Sequence, residues 1–172
     1  MGFRGVGEMH MGLQDFDSGC TYWQLMARWC VENDWPINCH VTEAAGHDHY
    51  GSVPTPLQNF VRLAKTEPDL KLILAHWGGG LAFFEQNHKL QKILKNVYYD
   101  CAASPLLYNM RIFKQMVELV GIRKLFFGSD YPLRVFPRLE KNPEMMRYIR
   151  TCLLYTSPSP RDLSTSRMPS SA

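Results

Sequence analysis

The chain has 172 residues, of which 45% are hydrophobic and 20% charged, a composition typical of one folded domain and not of a disordered or fibrous chain. Its net charge of +3 is scattered, without a basic run that could follow a phosphate backbone, which argues against nucleic acid as a partner. No apolar stretch of about 18 residues and no secretion signal occur, so we predict neither a membrane partner nor export.

The first strand–helix unit begins near the start of the chain. Residues 3–11 have the pattern of a short strand among glycines, with Glu8 and His10 at its end. A helix of about 14 residues follows, which Asp17-Ser18 can cap and Pro36 ends. The apolar face that the spacing predicts for this helix consists of Tyr22, Leu25, Met26, Trp29 and Cys30.

The second unit repeats this order. Residues 37–41 form an apolar run of strand length, and a loop rich in glycine and histidine follows them. Thr55-Pro56, an N-cap residue followed by proline at the first helical position, opens a helix that Pro68 ends. Its predicted apolar face consists of Leu57, Phe60, Val61 and Ala64.

Three more strands are predicted over residues 71–75, 97–100 and 124–127. The first of them is continuously apolar, as expected for a strand buried on both faces of a parallel sheet. The pattern between these strands predicts a helix over residues 83–95 and another that Asn109 caps. The inward residues of the 83–95 helix are Leu90, Ile93 and Leu94.

The spacing of these strands predicts an α/β fold. Their ends lie 32, 36, 24 and 30 residues apart, close to the length of one strand–helix unit. Such a series forms either a (β/α)₈ barrel or an open doubly wound sheet. The glycines of residues 78–80 invite a phosphate-loop interpretation, but their spacing matches neither the dinucleotide-binding nor the Walker pattern, so we favour the barrel.

Groups that can bind metal or move protons recur at the five strand ends. Taken singly, each has an ordinary structural explanation, such as a hydrogen-bonded histidine or a turn aspartate. In a barrel, however, all would converge at one rim. Imidazole and carboxylate ligands together suit Zn²⁺, with Mn²⁺ or Fe²⁺ as alternatives. The residues are Glu8 with His10, His40, His76, Asp100 and Asp130.

A local pair, His47 and His49, stands apart from that group. It lies between Gly46 and Gly51 in the loop after the second strand. The pair fits a lid that contacts substrate, or two ordinary loop histidines, better than a preorganised pair of metal ligands.

Five segments, taken in order, resemble the amidohydrolase-related family often called amidohydrolase 2. The resemblance spans residues 3 to about 150 and is specific, because it needs all five at consistent spacing. The segments are GVGEMH (residues 5–10), PINCHVTE (36–43), PDLKLILAHWGGG (68–80), VYYD (97–100) and FGSDYP (127–132).

This resemblance implies a distorted (β/α)₈ barrel, of which residues 1–150 form about strands four to eight, with a divalent metal at the rim. It implies that His40 is a metal ligand and that His76 is a second ligand or the catalytic histidine. Asp130 is then a ligand and proton acceptor, and Glu8 a further carboxylate ligand. The family's first strand usually supplies an HxH pair. By this resemblance the chain starts at the fourth strand and contains none of the first, so we expect weak metal binding and low activity from the chain alone.

The resemblance also limits the functions. It implies a metal-dependent hydrolase that acts on C–N or C–O bonds of a small molecule through metal-activated water. Nonoxidative decarboxylation of an aromatic or unsaturated carboxylate is the alternative within the family, and a non-catalytic binding module is the alternative outside it. The sequence leaves open whether the protein is a monomer or a homo-oligomer.

The last 22 residues, 151–172, differ in composition from the rest. Twelve of them are Ser, Thr or Pro, and apolar periodicity ends. We predict a disordered tail, which is either a flexible extension or, because residues 155–162 resemble translated sequencing adapter, an artefact.

Overall fold

The computed structural model describes residues 2–14, 20–45 and 52–130. Within these ranges, five strands form one parallel sheet in the order β1-β2-β3-β4-β5. All five predicted strands are present; β4 has the predicted bounds, and the other four are shorter than predicted at one or both ends. They are β1 (Val6–Met9), β2 (Ile37–Cys39), β3 (Leu72–Leu74), β4 (Val97–Asp100) and β5 (Leu125–Phe126).

Helices connect the successive strands of the sheet. None of the helices in the described ranges combines the length and the apolar character needed to cross a bilayer. The α-helices are α1 (Thr21–Glu32), α2 (Leu57–Thr66), α3 (His88–Ile93), α4 (Ser104–Leu107) and α5 (Ile112–Val120), and 3₁₀ segments run over His76–Gln86 and Ile122–Lys124.

The strand order decides between the two predicted architectures. A doubly wound sheet reverses its order at a switch point, whereas each strand here pairs with the next one in the chain. Ile37 on β2 aligns with Leu72 on β3, which in turn aligns with Val97 on β4. The fold is therefore a five-stranded part of a (β/α)₈ barrel, as predicted.

Helix α1 buries a different face from the predicted one. Tyr22, Leu25 and Trp29 are 77%, 58% and 46% exposed, whereas Trp23 and Ala27 are buried. Apolar side chains occur on both faces of this helix, so their spacing is compatible with either face. The choice depends on which face meets the sheet. The prediction was wrong for Tyr22, Leu25 and Trp29, whereas Cys30 is buried and Met26 is partly buried against the core, as predicted.

The start of α2 also differs from the prediction. The hydroxyl of Thr55 does not cap the helix, and instead accepts a hydrogen bond of 2.7 Å from the backbone N–H of Thr42. Thr42 in turn donates its hydroxyl proton to the carbonyl of Val53. These two bonds hold the chain that follows β2 against the beginning of α2, and Phe60 and Ala64 lie in the core as predicted.

The predicted helix over residues 83–95 is in fact two segments. The side chain of Asn87 accepts hydrogen bonds from the backbone N–H groups of Lys89 and Leu90, so it caps a new helix, α3. Helix α4 was not predicted, because four residues are too few for a periodic pattern.

Some predictions fall outside the described residues. These are the cap at Asp17-Ser18, the histidines at 47 and 49, and the tail over 151–172. The four cysteines within the described ranges form no disulfide.

Candidate metal centre

The carboxyl ends of the parallel strands lie along one edge of the sheet, and each predicted site residue lies at that edge. Glu8 is the third of the four residues of β1, His40 directly follows β2, and Asp100 ends β4. His76 lies two residues after β3, and Asp130 four residues after β5.

Three of these residues meet. One ligand atom from each of Glu8, His40 and His76 lies within 4.8 Å of the other two. Nδ1 of His40 is 2.8 Å from Oε1 of Glu8 and 3.2 Å from Nε2 of His76. Nε2 of His76 is 3.6 Å from the same Glu8 oxygen. We call this group the His–His–Glu cluster.

An irregularity in β1 accompanies the position of Glu8. Val6 pairs with Ile37 and Met9 with Cys39. Between these two pairs, β1 therefore contains one residue more than β2, which is a β-bulge. Such bulges re-aim side chains at the ends of strands. Here the bulged stretch contains Glu8, whose carboxylate reaches the imidazole beyond the end of β2.

The glycines after β3 build the turn that carries His76. Residues 76–80 all have positive φ, between 55° and 96°. A Cβ on Gly78 would lie 2.7 Å from the ring of Tyr99, and one on Gly79 would lie 2.7 Å from the side chain of Val41. Glycine is therefore needed at these positions for the left-handed backbone and for close packing between neighbouring strands. This explains the glycines without a phosphate-binding role.

Buried contacts orient the His76 ring. Its Nδ1 lies 3.2 Å from the carbonyl oxygen of Ala102, and only a protonated nitrogen can donate to a carbonyl. In the neutral ring the lone pair is then on Nε2, the atom that faces His40. This pattern is typical of metal-binding histidines.

The cluster shifts the pKa values of its members. Hydrogen bonds from His40 and His76 lower the pKa of Glu8 to about 2. Burial acts to lower the pKa of His76, but the hydrogen bonds to Glu8 and Ala102 and the nearby carboxylates outweigh it and raise that pKa to about 9. Without a cation, the cluster therefore retains a proton at neutral pH.

Asp130 lies beside the cluster and outside it. It lines a cavity of about 430 Å³ together with Glu8, Asn38 and Asp100, but it does not join the three groups whose ligand atoms meet. Burial, with the negative charges of Glu8 and Asp100, raises the pKa of Asp130 against the opposing effect of the two imidazoles. A raised pKa makes its carboxylate a better proton acceptor than Glu8.

Some contacts of the site carried no clear signal in the sequence. The ring of His10 stacks on that of His40, with centroids 4.4 Å apart. Asn38 donates to Asp100, and the Ala102 carbonyl accepts from His76. The alternation of side chains along β2 could have placed Asn38 on the opposite face from Cys39, but a backbone carbonyl leaves no sequence signal.

The His–His–Glu cluster fits a divalent cation. In a tetrahedral site with ligand bonds near 2 Å, neighbouring ligand atoms are about 3.3 Å apart. The distances of 3.2 and 3.6 Å from Nε2 of His76 to its two partners are close to this value, and the third distance, 2.8 Å between Nδ1 of His40 and Oε1 of Glu8, is about 0.5 Å shorter. Two imidazole nitrogens and one carboxylate are also the donor set that borderline cations such as zinc prefer.

A parallel βα sheet with polar side chains gathered at the carboxyl ends of its strands is the arrangement of a βα-barrel protein, and here three of those side chains could hold a metal ion. The family model described as Amidohydrolase matches residues 1–149. The chain therefore belongs to the amidohydrolase family. No curated protein matches the sequence significantly.

Solved structures show the same fold. The 5-carboxyvanillate decarboxylase of Sphingomonas paucimobilis is 13% identical, with a TM-score of 0.55 over 87% of this chain and 51% of its own. A zinc-bound amidohydrolase of Burkholderia multivorans is 15% identical, with a TM-score of 0.54 over 95% and 62%. The 2,6-dihydroxybenzoate decarboxylase of Rhizobium is 14% identical, with a TM-score of 0.53 over 92% and 56%. The chain thus spans little more than half the length of these structures.

Proposed function

We propose that the chain carries part of the active site of a metal-dependent hydrolase, which acts on C–N or C–O bonds of a small molecule. One observation supports this most strongly. Two imidazoles and a carboxylate from three successive strand ends meet within 4.8 Å, beside a cavity that a fourth strand end lines with Asp130. Ordinary structural histidines would not need to converge in this way.

In this proposal, Nδ1 of His40, Nε2 of His76 and the Glu8 carboxylate hold the cation. Zinc is our first choice, with manganese or iron as alternatives, because the donors are nitrogen and oxygen. When bound, such a cation polarises a carbonyl group and lowers the pKa of water to about 7. The carboxylate of Glu8, whose pKa is about 2, is ionised at neutral pH and ready to bind.

Asp130 is the proposed proton acceptor. The environments of the two carboxyl groups push their pKa values in opposite directions, with Glu8 lowered and Asp130 raised. Such a separation is typical of sites where one carboxylate stabilises charge and the other moves a proton. Asp130 would take the proton of the attacking water at its carboxylate, on the cavity side of the cluster. Nε2 of His76 faces His40, so we assign His76 the ligand role first.

Nonoxidative decarboxylation is the second candidate. Two of the solved structures described above are named decarboxylases of aromatic acids, and they share the fold. The same cation could orient a substrate carboxylate instead of activating water. A binding module without catalysis is the third candidate function, which measured turnover distinguishes from the two enzymes.

The test uses the purified chain, variants H40A and D130N, and the control H88A, whose histidine is exposed on α3. Zinc affinity is measured by competition with a chromogenic chelator. We expect H40A to weaken binding at least tenfold, and D130N and H88A to leave it unchanged. Equal affinity in H40A and wild type would overturn the metal site.

Turnover is measured with panels of esters, lactones and amides, and with aromatic acids assayed for released CO₂. Because the chain spans about half of the solved structures, the same substitutions are made in an intact family member with these strand-end residues. D130N should reduce turnover by about 10²-fold or more with metal retained. Release of CO₂ together with the decarboxylated arene, without hydrolysis of the esters, lactones or amides, would favour decarboxylation. Metal binding without any turnover would favour the binding module.

A further inference from the structure

Asp100 is a buried acid of the site whose hydrogen bonds within the described residues go to the segments that carry the two imidazole rings, not to the rings themselves. It ends β4 and is 5% exposed. Its Oδ1 accepts hydrogen bonds from the backbone N–H groups of His76, at 3.2 Å, and Ala102, at 3.0 Å. Its Oδ2 accepts one from the side-chain amide of Asn38, at 3.0 Å. One carboxylate thus joins β2, the turn after β3 and the chain after β4.

Both backbone partners of Asp100 determine how His76 is placed. The first is the main chain of His76 itself, in a turn whose positive φ values are costly for a residue with a side chain. The second is Ala102, whose carbonyl accepts the proton on Nδ1 of His76. Asp100 therefore holds the backbone of His76 and also the acceptor that selects its tautomer.

We propose that Asp100 is a positioning residue of this site: its carboxylate oxygens fix His76 and Ala102 so that Nε2 of His76 faces Nδ1 of His40. This inference rests on the proposed function. The role requires two acceptor oxygens in the right places, and it does not require their negative charge. Position and charge can be separated by substitution.

The surroundings of Asn38 make that separation feasible. Its Oδ1 is buried and has no hydrogen-bond partner, while its Nδ2 donates to Asp100. In D100N, the new amide oxygen can still accept from both backbone N–H groups. The new amide nitrogen can donate to Oδ1 of Asn38 once the Asn38 amide turns over. D100N thus preserves the hydrogen-bonded geometry without the charge, whereas D100A removes both.

The first measurement is zinc affinity of the full chain. We expect D100A to weaken binding by about 10–100-fold, the usual cost of losing a group that orients a metal ligand. D100N should stay within about threefold of wild type. The control D69A removes an aspartate that is 75% exposed and pairs with Lys95, and it should change nothing. A tenfold loss in natively folded D100N would show that the charge matters and would overturn the positioning role.

The second measurement does not need bound metal. The ¹⁵N shifts of the His76 ring report its tautomer in metal-free protein at a pH high enough for the ring to be neutral. Wild type and D100N should carry the proton on Nδ1, and D100A should populate both tautomers. An unchanged tautomer in folded D100A would overturn the proposal, and if D100A does not fold, D100N decides alone. Failure of wild type to bind zinc would instead count against the proposed function and leave this result standing.

Discussion

Nε2 of His76 lies 3.2 Å from Nδ1 of His40, although 36 positions separate the two residues. Two lone pairs at this distance repel each other unless a proton or a cation lies between them. The Glu8 carboxylate beside both rings stabilises either positive charge. The cluster is therefore arranged for a positive charge at its centre, and its response to pH follows.

The stability of the metal-free protein should depend on this cluster in a defined pH window. The pKa of Glu8 falls from 4.5 to about 2 on folding, so its contribution is present above 4.5 and is lost as pH falls toward 2. The pKa of His76 rises from 6.5 to about 9, so its contribution is present below 6.5 and is lost as pH rises through 9. Thermal unfolding against pH should thus show the largest contribution between 4.5 and 6.5.

The control for this prediction is E8Q. The amide cannot pair with a protonated ring, so the difference in melting temperature between wild type and E8Q should be largest in that window and shrink on both sides. A difference that is constant from pH 4 to pH 9 would contradict the assignment, because an uncharged packing effect does not titrate.

Replacing Gly78 by alanine should destabilise the turn below the metal centre. Its φ is +66° and the new Cβ would lie 2.7 Å from Cε1 of Tyr99. Left-handed strain and overpacking together cost about 2–4 kcal/mol. The matched control is G80A, with φ of +96° and no atom within 4 Å of the new Cβ, which adds strain alone. In urea unfolding, G78A should have a lower free energy of unfolding than G80A. Equal losses in the two variants would mean that the Tyr99 contact is unimportant.

Removing the partner of buried Glu85 should also be costly. Glu85 is 4% exposed, accepts the Tyr99 hydroxyl proton at 2.6 Å and pairs with the ammonium group of Lys124 at 2.5 Å. K124M leaves that carboxylate buried without its cation, for which we expect a loss of about 3–5 kcal/mol in unfolding free energy.

The comparison for K124M is K71M, which breaks the exposed pair between Lys71 and Asp34. Exposed pairs contribute about 0–1 kcal/mol. The double variant E85Q/K124M should recover part of the loss, because no charge stays buried. Similar unfolding free energies for K124M and K71M would contradict the importance of the buried pair.

The two faces of α1 should respond differently to substitution. Trp23 is 1% exposed, so W23A should cost about 3–5 kcal/mol through the cavity it leaves. Leu25 is 58% exposed, so L25A should stay within about 0.5 kcal/mol of wild type. A larger loss of unfolding free energy in L25A than in W23A would contradict this burial and favour the face that the spacing alone predicts.

The order of strands and helices was predictable because each unit leaves a local signal. A continuous apolar run marked residues 71–75, and β3 lies within it. The helix boundaries were less predictable. Thr55 is of a residue type that often caps helices, but its hydroxyl oxygen instead accepts a hydrogen bond from the backbone N–H of Thr42, 13 positions away.

The sequence by itself determined the βα alternation, and with it the edge at which Glu8, His40, His76 and Asp130 lie, because the carboxyl ends of parallel strands share one edge. Only the tertiary structure decided which of them meet. The irregular pairing of β1, the left-handed turn at His76 and the bond from His76 to Ala102 bring three together and leave Asp130 on the cavity wall. The reason is physical: ring orientation depends on backbone conformation and on carbonyl groups distant in the chain, and residue types do not encode either one locally.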